Sequence, residues 1–455
     1  MKIYQIINFR SLVRKILSKR RTKNVMLGGF SFAVTRILCS ILGFFQIGIV
    51  VRYLSPQNFG LWASVASFSS IFSVFNFGFG SSLLNKLSKL YAQENNEESK
   101  VYFFSVVYAL FILIFIIIFF VFLIKPLIPW NILFKTENLE TIKTGSLLFI
   151  IFSVLTLISI PISLNDIVFY SYQEAWWVSV FALLLSSLLL ISSILLVRFH
   201  SSFVVLVVSM SIMPLISSTI SLFTMLWKRK WNIILVNFRV IVEKVKELSV
   251  QSLQFLFIQV PTLFLLSLDT LVISKTAGLE NAGEYFLVKK LAFFFAIIYM
   301  SLYASVWACY SEAVEKGDFK WVKKMLNVSG KLTIFAYLFF ISLFCLFGNS
   351  FVHLWAGKYV ENSILFLLLG VWSFLYSWGS CFSIFLNSIG HLKLQAILLT
   401  IGAIILFPLS IFLGNKLGII GVCLAWIIVS SITAISNPIQ SYIFIKKQGA
   451  SEIKD

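Results

Sequence analysis

Residues 101–124 read VYFFSVVYALFILIFIIIFFVFLI, a run with no charge, no proline and no glycine. As a helix it rises about 36 Å, at about 1.5 Å per residue. The hydrocarbon core of a bilayer is roughly 30 Å thick. The run is apolar on every side, so it has no face to turn to water. It reads as a membrane-spanning helix.

The same signal recurs on both sides of this run. Segments at about 25–51, 58–82, 101–124, 145–165, 175–197, 201–227, 248–273, 282–309, 330–348, 363–387, 393–414 and 418–445 are each long and apolar enough to span. Turn-forming and polar residues separate them, as at Ser55-Pro56-Gln57-Asn58 and Gln93-Glu94-Asn95-Asn96-Glu97. Composition agrees, with 59% hydrophobic and 12% charged residues, against roughly 45–50% and about 25% in soluble domains. The sequence predicts an all-α polytopic membrane protein of about twelve transmembrane helices.

The net charge of +19 sorts by membrane side. With the N-terminus placed in the cytoplasm, 26 cations fall in inner loops and tails and eight in outer loops. The positive-inside rule then puts both termini in the cytoplasm. This sorting points to anionic membrane lipid as the partner of the positive charge, and no nucleic acid partner is expected. The first 24 residues carry eight of the cations. The apolar run that follows is too long for a signal-peptide core and lacks a small-residue cleavage site, so it reads as a retained span.

The expected organisation is a basic cytoplasmic segment (1–24), an N-terminal six-helix bundle (25–227), a basic cytoplasmic linker (228–247), a C-terminal six-helix bundle (248–445) and a cytoplasmic tail (446–455). The linker mixes basic and apolar residues, which suits an interfacial helix or a solvated connection equally. Cys39, Cys309, Cys345, Cys381 and Cys423 lie in apolar stretches, and His200, His353 and His391 stand singly. None has metal-ligand spacing, so no metal site and no cofactor is expected. The sequence has no Walker motif, which argues against direct use of ATP.

The two halves repeat. At an offset of 223 residues, Gln46 meets Asp269, Arg52 meets Lys275, Asn58 meets Asn281, Gly60 meets Gly283 and Trp62 meets Tyr285. At 222, Leu164-Asn165 meets Leu386-Asn387, Ile167 meets Ile389 and Gln173 meets Gln395. Six spans per repeat, an even number, make the halves parallel about an axis along the membrane normal. Such repeats typify transporters that bind substrate between them.

Ionisable residues inside spans are costly, roughly 2.5–3.5 kcal/mol for a central Arg, and mark cavities or partners. Arg36 lies near the middle of the first span, Lys289 and Lys290 within the eighth, and Asp269 near the end of the seventh. Lys289 and Lys290 differ by about 100° around a helix, so one at most points into a shared cavity. Asp269 is expected either to pair with a lysine or to couple transport to an ion. Three cations against one carboxylate leave a positive surplus that suits an anionic substrate. Gln46, Asn76, Gln259, Asn165 and Asn387 are the candidate polar lining, alongside Gln173, Gln251, Gln254 and Gln395. Helix-to-helix hydrogen bonding is their other reading, and sugar hydroxyl binding the functional one. Pro261 is expected to kink the seventh span.

Four stretches carry a family resemblance. They are Arg52-Tyr-Leu-Ser-Pro-Gln-Asn-Phe-Gly-Leu-Trp62 with Phe75-Asn-Phe-Gly-Phe-Gly80; Leu268-Asp269 with Gly278-Leu-Glu-Asn-Ala-Gly-Glu-Tyr285; Phe385-Leu-Asn-Ser-Ile-Gly-His-Leu-Lys-Leu-Gln395 with Gly418-Ile-Ile-Gly421; and Leu354-Trp-Ala-Gly357. In this order the chain from about 25 to 445 resembles the Wzx-type O-antigen/polysaccharide flippases of the multidrug/oligosaccharidyl-lipid/polysaccharide exporter superfamily. Asn76 departs from the pattern, since relatives often carry an acid before that glycine.

The resemblance implies a multi-pass protein of the bacterial inner membrane that is not an enzyme. It implies movement of an undecaprenyl-pyrophosphate-linked oligosaccharide between leaflets by alternating access, for O-antigen or capsule. Glycan polymerase and chain-length machinery are implied partners. Arg36 and one of Lys289 or Lys290 are the expected binders of the pyrophosphate or an acidic sugar. Two rivals stand beside this reading. A drug/cation antiporter of the same superfamily would favour buried carboxylates over cations. A membrane glycosyltransferase, polymerase or ligase would need a sizeable catalytic outer loop, and the longest here spans about 125–143.

Overall fold

A computed structural model describes residues 20–301, 306, 310, 313–314, 317–389 and 393–451. The N-terminal cations up to Lys19, Cys309, His391, Lys454 and the Gln254 side chain lie outside the described residues. The first half runs α1 (Arg20–Tyr53), α2 (Pro56–Ser69), a 3-10 segment (Ser70–Asn76), α3 (Phe79–Ala92), α4 (Asn96–Ile124), α5 (Trp130–Phe134), α6 (Leu139–Ser163), α7 (Asn165–Ser171), α8 (Ala175–Arg198) and α9 (Phe203–Arg229). The second runs α10 (Phe238–Ser267), α11 (Asp269–Ala277), α12 (Leu279–Ser301), α13 (Phe319–Ala356), α14 (Ile364–Ser388) and α15 (Lys393–Ser451). Every regular element among the described residues is helical.

Local chemistry sets the helix starts. Ser55 accepts from the Asn58 amide ahead of Pro56, and Asn95 accepts from the Glu98 amide where α4 begins. Both satisfy amides that the first helical turn leaves open. Along α4, Phe115, Phe119, Phe120 and Phe122 face outward. Exposed phenylalanine in such density fits a lipid solvent. Among the described residues nine helices are long and apolar enough to cross a membrane.

Several elements differ from the even spans expected. The second span breaks where Phe77 (φ 50°) and Gly78 (φ 73°) turn left-handed. The Asn76 carboxamide holds this break by accepting from the Gly78 amide at 2.8 Å. An added Cβ on Gly78 would stand 2.1 Å from the Ser252 carbonyl, so glycine is required by space as well as by φ. The seventh span divides at Leu268, where α10 yields to α11. The eleventh and twelfth spans remain two helices, joined at Gly418 (φ 60°, ψ −138°), where the backbone leaves the helical conformation and the chain turns back so that Gly421 lies against the Leu413 carbonyl. The basic linker is in part the start of α10, capped by Asn237 through the Arg239 amide.

Within the first half α1 lies along α8, and α9 lies along α6 and α8. Within the second, α14 lies along α13 and α15. The halves meet where α2 lies on α12, and where α10 lies on α3 and α4. The repeat-related glycines Gly60 and Gly283 sit at the first of these meetings. An added Cβ on Gly60 would fall 1.8 Å from the Leu279 carbonyl oxygen, and one on Gly283 would fall 3.2 Å from Phe59 Cδ1. Small residues let the two backbones touch there.

A second symmetric contact lies at the end of α1 remote from Arg20. Lys135 Nζ donates to the Thr276 carbonyl at 2.7 Å, and Lys358 Nζ donates to the Leu54 carbonyl at 2.8 Å. Lys135 and Lys358 are 223 residues apart, and Leu54 and Thr276 are 222 apart. Each half thus lends a lysine to a helix-end carbonyl of the other. Arg52 adds a bond to the Trp355 carbonyl at 3.1 Å and another to Leu354. At the opposite end Glu247 accepts from Lys86 at 2.6 Å and from Tyr102. These donors hold the Glu247 carboxyl below the usual carboxylate range.

Candidate substrate cavity

A cavity of about 620 Å³ lies between the halves. Its wall takes Thr35, Arg36 and Cys39 from α1, Ser179 from α8, Lys290 and Phe293 from α12, and Tyr376 from α14. Arg36 precedes Arg52 by sixteen residues, so the cavity lies about 24 Å of helix rise from the lysine contacts that join the halves. Among the described residues no acidic side chain lines it, while both Arg36 and Lys290 do. Positive charge in a partly dry cavity attracts an anion far more strongly than in water.

The two adjacent lysines separate. Lys289 forms an ion pair with Asp269 and lines only a smaller cavity of about 280 Å³. Lys290 lines both cavities, with its ammonium 5.7 Å from the centre of the Phe286 ring. Among the described residues Lys290 has no ion-pair partner. The helical step between the two positions explains the division.

Asp269 is 1% exposed and fully engaged. The Thr270 amide donates to Oδ1 at 2.8 Å, Tyr285 Oη donates to Oδ2 at 2.6 Å, and Lys289 also donates to Oδ2. The carboxylate stands at the first turn of α11, where the helix dipole favours negative charge. It ties α11 to α12 within one half.

The candidate amides take different places. Gln46 donates to Ser193 Oγ at 3.3 Å and joins α1 to α8. Asn76 holds the break before α3. Asn165 donates to the Ser218 carbonyl at 3.2 Å, and Gln259 to the Ser73 carbonyl at 3.4 Å. Asn387 lines a third cavity, of about 390 Å³, between α14 and α15.

Sequence reasoning passed over Tyr285, Tyr376 and Asp166. Asp166 lies one residue past the span predicted for 145–165 and accepts from Ser221 at 3.4 Å. The signal for it was an acid directly after a long apolar run. Tyr376 gave no such signal, since tyrosine is common in membrane helices. Among the described residues no group of three or more His, Cys, Asp or Glu is placed to hold a metal ion.

Residues 25–310, more than half of the chain, match the family described as polysaccharide biosynthesis protein. A Salmonella typhimurium protein named "Putative O-antigen transporter" is 25% identical over 207 residues. That match covers 44% of this chain and 47% of the relative, so about half of each is aligned. Among solved structures, an inward-facing multidrug resistance MATE family transporter of the MOP superfamily superposes with a TM-score of 0.68 and 15% identity. It covers 92% of this chain and 99% of its own. The lipid II flippase MurJ, in an inward closed conformation, gives a TM-score of 0.67 at 17% identity. It covers 91% of this chain and 89% of its own. These likenesses establish a transporter-type fold. The molecule is a multi-pass membrane protein, and its relatives are transporters and flippases rather than enzymes.

Proposed function

Because the chain belongs to the polysaccharide biosynthesis protein family, we propose that it flips a lipid-linked oligosaccharide across the bacterial inner membrane. The substrate class is an undecaprenyl-pyrophosphate-linked repeat unit of O-antigen or capsule. The observation that carries this reading is the cavity between the halves, with Arg36 and Lys290 on its wall and no acidic residue among its described lining. A pyrophosphate offers several oxygen acceptors, which suit the guanidinium fork of Arg36 and the point charge of Lys290. Transport alternates access. The halves rock about the meeting of α2 with α12, while the lysine contacts at one end part and the cavity's own end closes. The flipped unit then passes to a glycan polymerase and its chain-length machinery.

A cation exporter would need an accessible carboxylate. Asp269 is instead buried against Lys289 and Tyr285, which weakens that alternative. The test is replacement of Arg36 and of Lys290 by Ala in cells lacking the native copy. Surface glycan should fall at least tenfold, with the protein still present in the membrane. Normal glycan with either replacement removes that residue from the proposed site.

A further inference from the structure

The cavity between α14 and α15 differs in kind from the cationic one. Its volume, about 390 Å³, lies within the roughly 300–1,000 Å³ range of small-molecule sites. No charged residue appears among its described lining residues. Three aromatic side chains, Trp372, Tyr376 and Trp426, contribute to the wall. Asn387, Asn437 and Gln395 supply amides.

Two of those amides carry buried oxygens with no partner among the described residues. Asn437 is 3% exposed; its Nδ2 donates to the Gly379 carbonyl at 3.1 Å, while its Oδ1 accepts from none of the described residues. Asn387 Oδ1 is likewise buried and unpartnered. Ser380, Ser383 and Thr433 add hydroxyls to the wall beside the amides, so the lining favours an occupant that brings hydroxyls of its own. Aromatic faces, with their partial negative charge, suit the C–H faces of a sugar ring. An apolar chain would leave the polar wall unused, and a charged group would meet no counter-charge among the described lining residues.

Tyr376 lines this cavity and the cationic one alike. A ligand held by its pyrophosphate at Arg36 and Lys290 therefore has a neighbouring compartment on the other side of one side chain. We propose that the α14–α15 cavity is a subsite for uncharged sugar residues of the lipid-linked substrate, distinct from the anion site. The proposal rests on the flippase reading above and deepens it: the cationic cavity holds the head of the carrier, and this cavity reads the glycan.

The test uses the full chain, purified in lipid nanodiscs, and four probes. These are undecaprenyl pyrophosphate bare and carrying one, two or three uncharged hexoses. Affinity should rise at least tenfold over the bare lipid once sugar is present. The increment should disappear in Asn387→Leu and in Ala396→Trp, which plugs the cavity without removing a hydrogen bond. Both variants should bind the bare lipid as the unaltered protein does, which also confirms that they fold. Absence of any sugar increment, or its survival in both variants, overturns the subsite. Weaker binding of the bare lipid in Ala396→Trp, with the increment retained, would assign the cavity to the prenyl chain instead. Failure of the flippase reading is separate, because the bare lipid would then bind without dependence on Arg36 and Lys290.

Discussion

Lys289 and Lys290 are adjacent in the chain and opposite in circumstance. Lys289 completes the shell of a carboxylate that is 1% exposed, while Lys290 opens onto the cavity that holds Arg36. Removing Lys289 strands a buried negative charge, a loss of about 3–5 kcal/mol for pairs of this kind. Lys289→Ala is therefore expected to lower membrane abundance, read by immunoblot and by thermal unfolding in detergent. Removing both charges is far milder, so Lys289→Met with Asp269→Asn should restore abundance to near the unaltered level. Lys290→Ala should do the reverse, sparing abundance and cutting surface glycan at least tenfold. If Lys289→Ala and Lys290→Ala behave alike, the division of roles between them is wrong. The charges themselves were legible in the sequence, since an ionised side chain in an apolar run stands out. Their pairing was not, because which of two adjacent lysines meets Asp269 depends on the rotation of α12 against α11. The amides show the same limit: Gln46 and Asn387 look alike in sequence, yet one joins two helices and the other lines a cavity.

At the scale of elements the repeat becomes physical. Its period was readable from pairs such as Gly60 with Gly283, but their purpose appears only when α2 and α12 are seen to touch there. The two glycines are not equivalent. A methyl group on Gly60 meets a backbone carbonyl at 1.8 Å, which cannot move aside, whereas one on Gly283 meets the Phe59 ring at 3.2 Å. Gly60→Ala should therefore force α2 from α12 and abolish surface glycan, and Gly283→Ala should retain a substantial part of it. Equal effects would show that the close approach does not matter to transport. The lysine contacts Lys135–Thr276 and Lys358–Leu54 form a second pair under the same repeat. A charge-assisted bond to a carbonyl contributes about 1 kcal/mol when part-exposed. Losing both through Lys135→Ala with Lys358→Ala should shift the balance between joined and parted ends by about tenfold or more. Spin labels at Glu137 and Lys275 would report this as growth of a longer distance; an unchanged distribution would show that the lysines do not hold the ends together.

At the scale of the whole molecule, the apolar runs announced a helical membrane protein, because only a hydrocarbon solvent tolerates so many faces without polarity. Their breaks at Phe77–Gly78 and Leu268 were not announced. Those features depend on left-handed turns and on neighbours distant in the chain. On the orientation we propose from the positive-inside rule, the start of α1 and the cationic cavity would face the cytoplasm and the paired lysine contacts the outside. Cys39 provides a built-in reporter, since it lines the cationic cavity. With Cys309, Cys345, Cys381 and Cys423 replaced by Ala, a membrane-impermeant maleimide should label Cys39 in inside-out vesicles and hardly at all in right-side-out ones. Bare undecaprenyl pyrophosphate should slow that labelling if, as proposed, it binds beside Arg36. Combining the lysine double replacement with this background should raise labelling from the outer face, as the ends part and the cavity opens that way. Labelling from the outer face in the unaltered background would invert the proposed orientation, and with it the direction from which the carrier lipid enters.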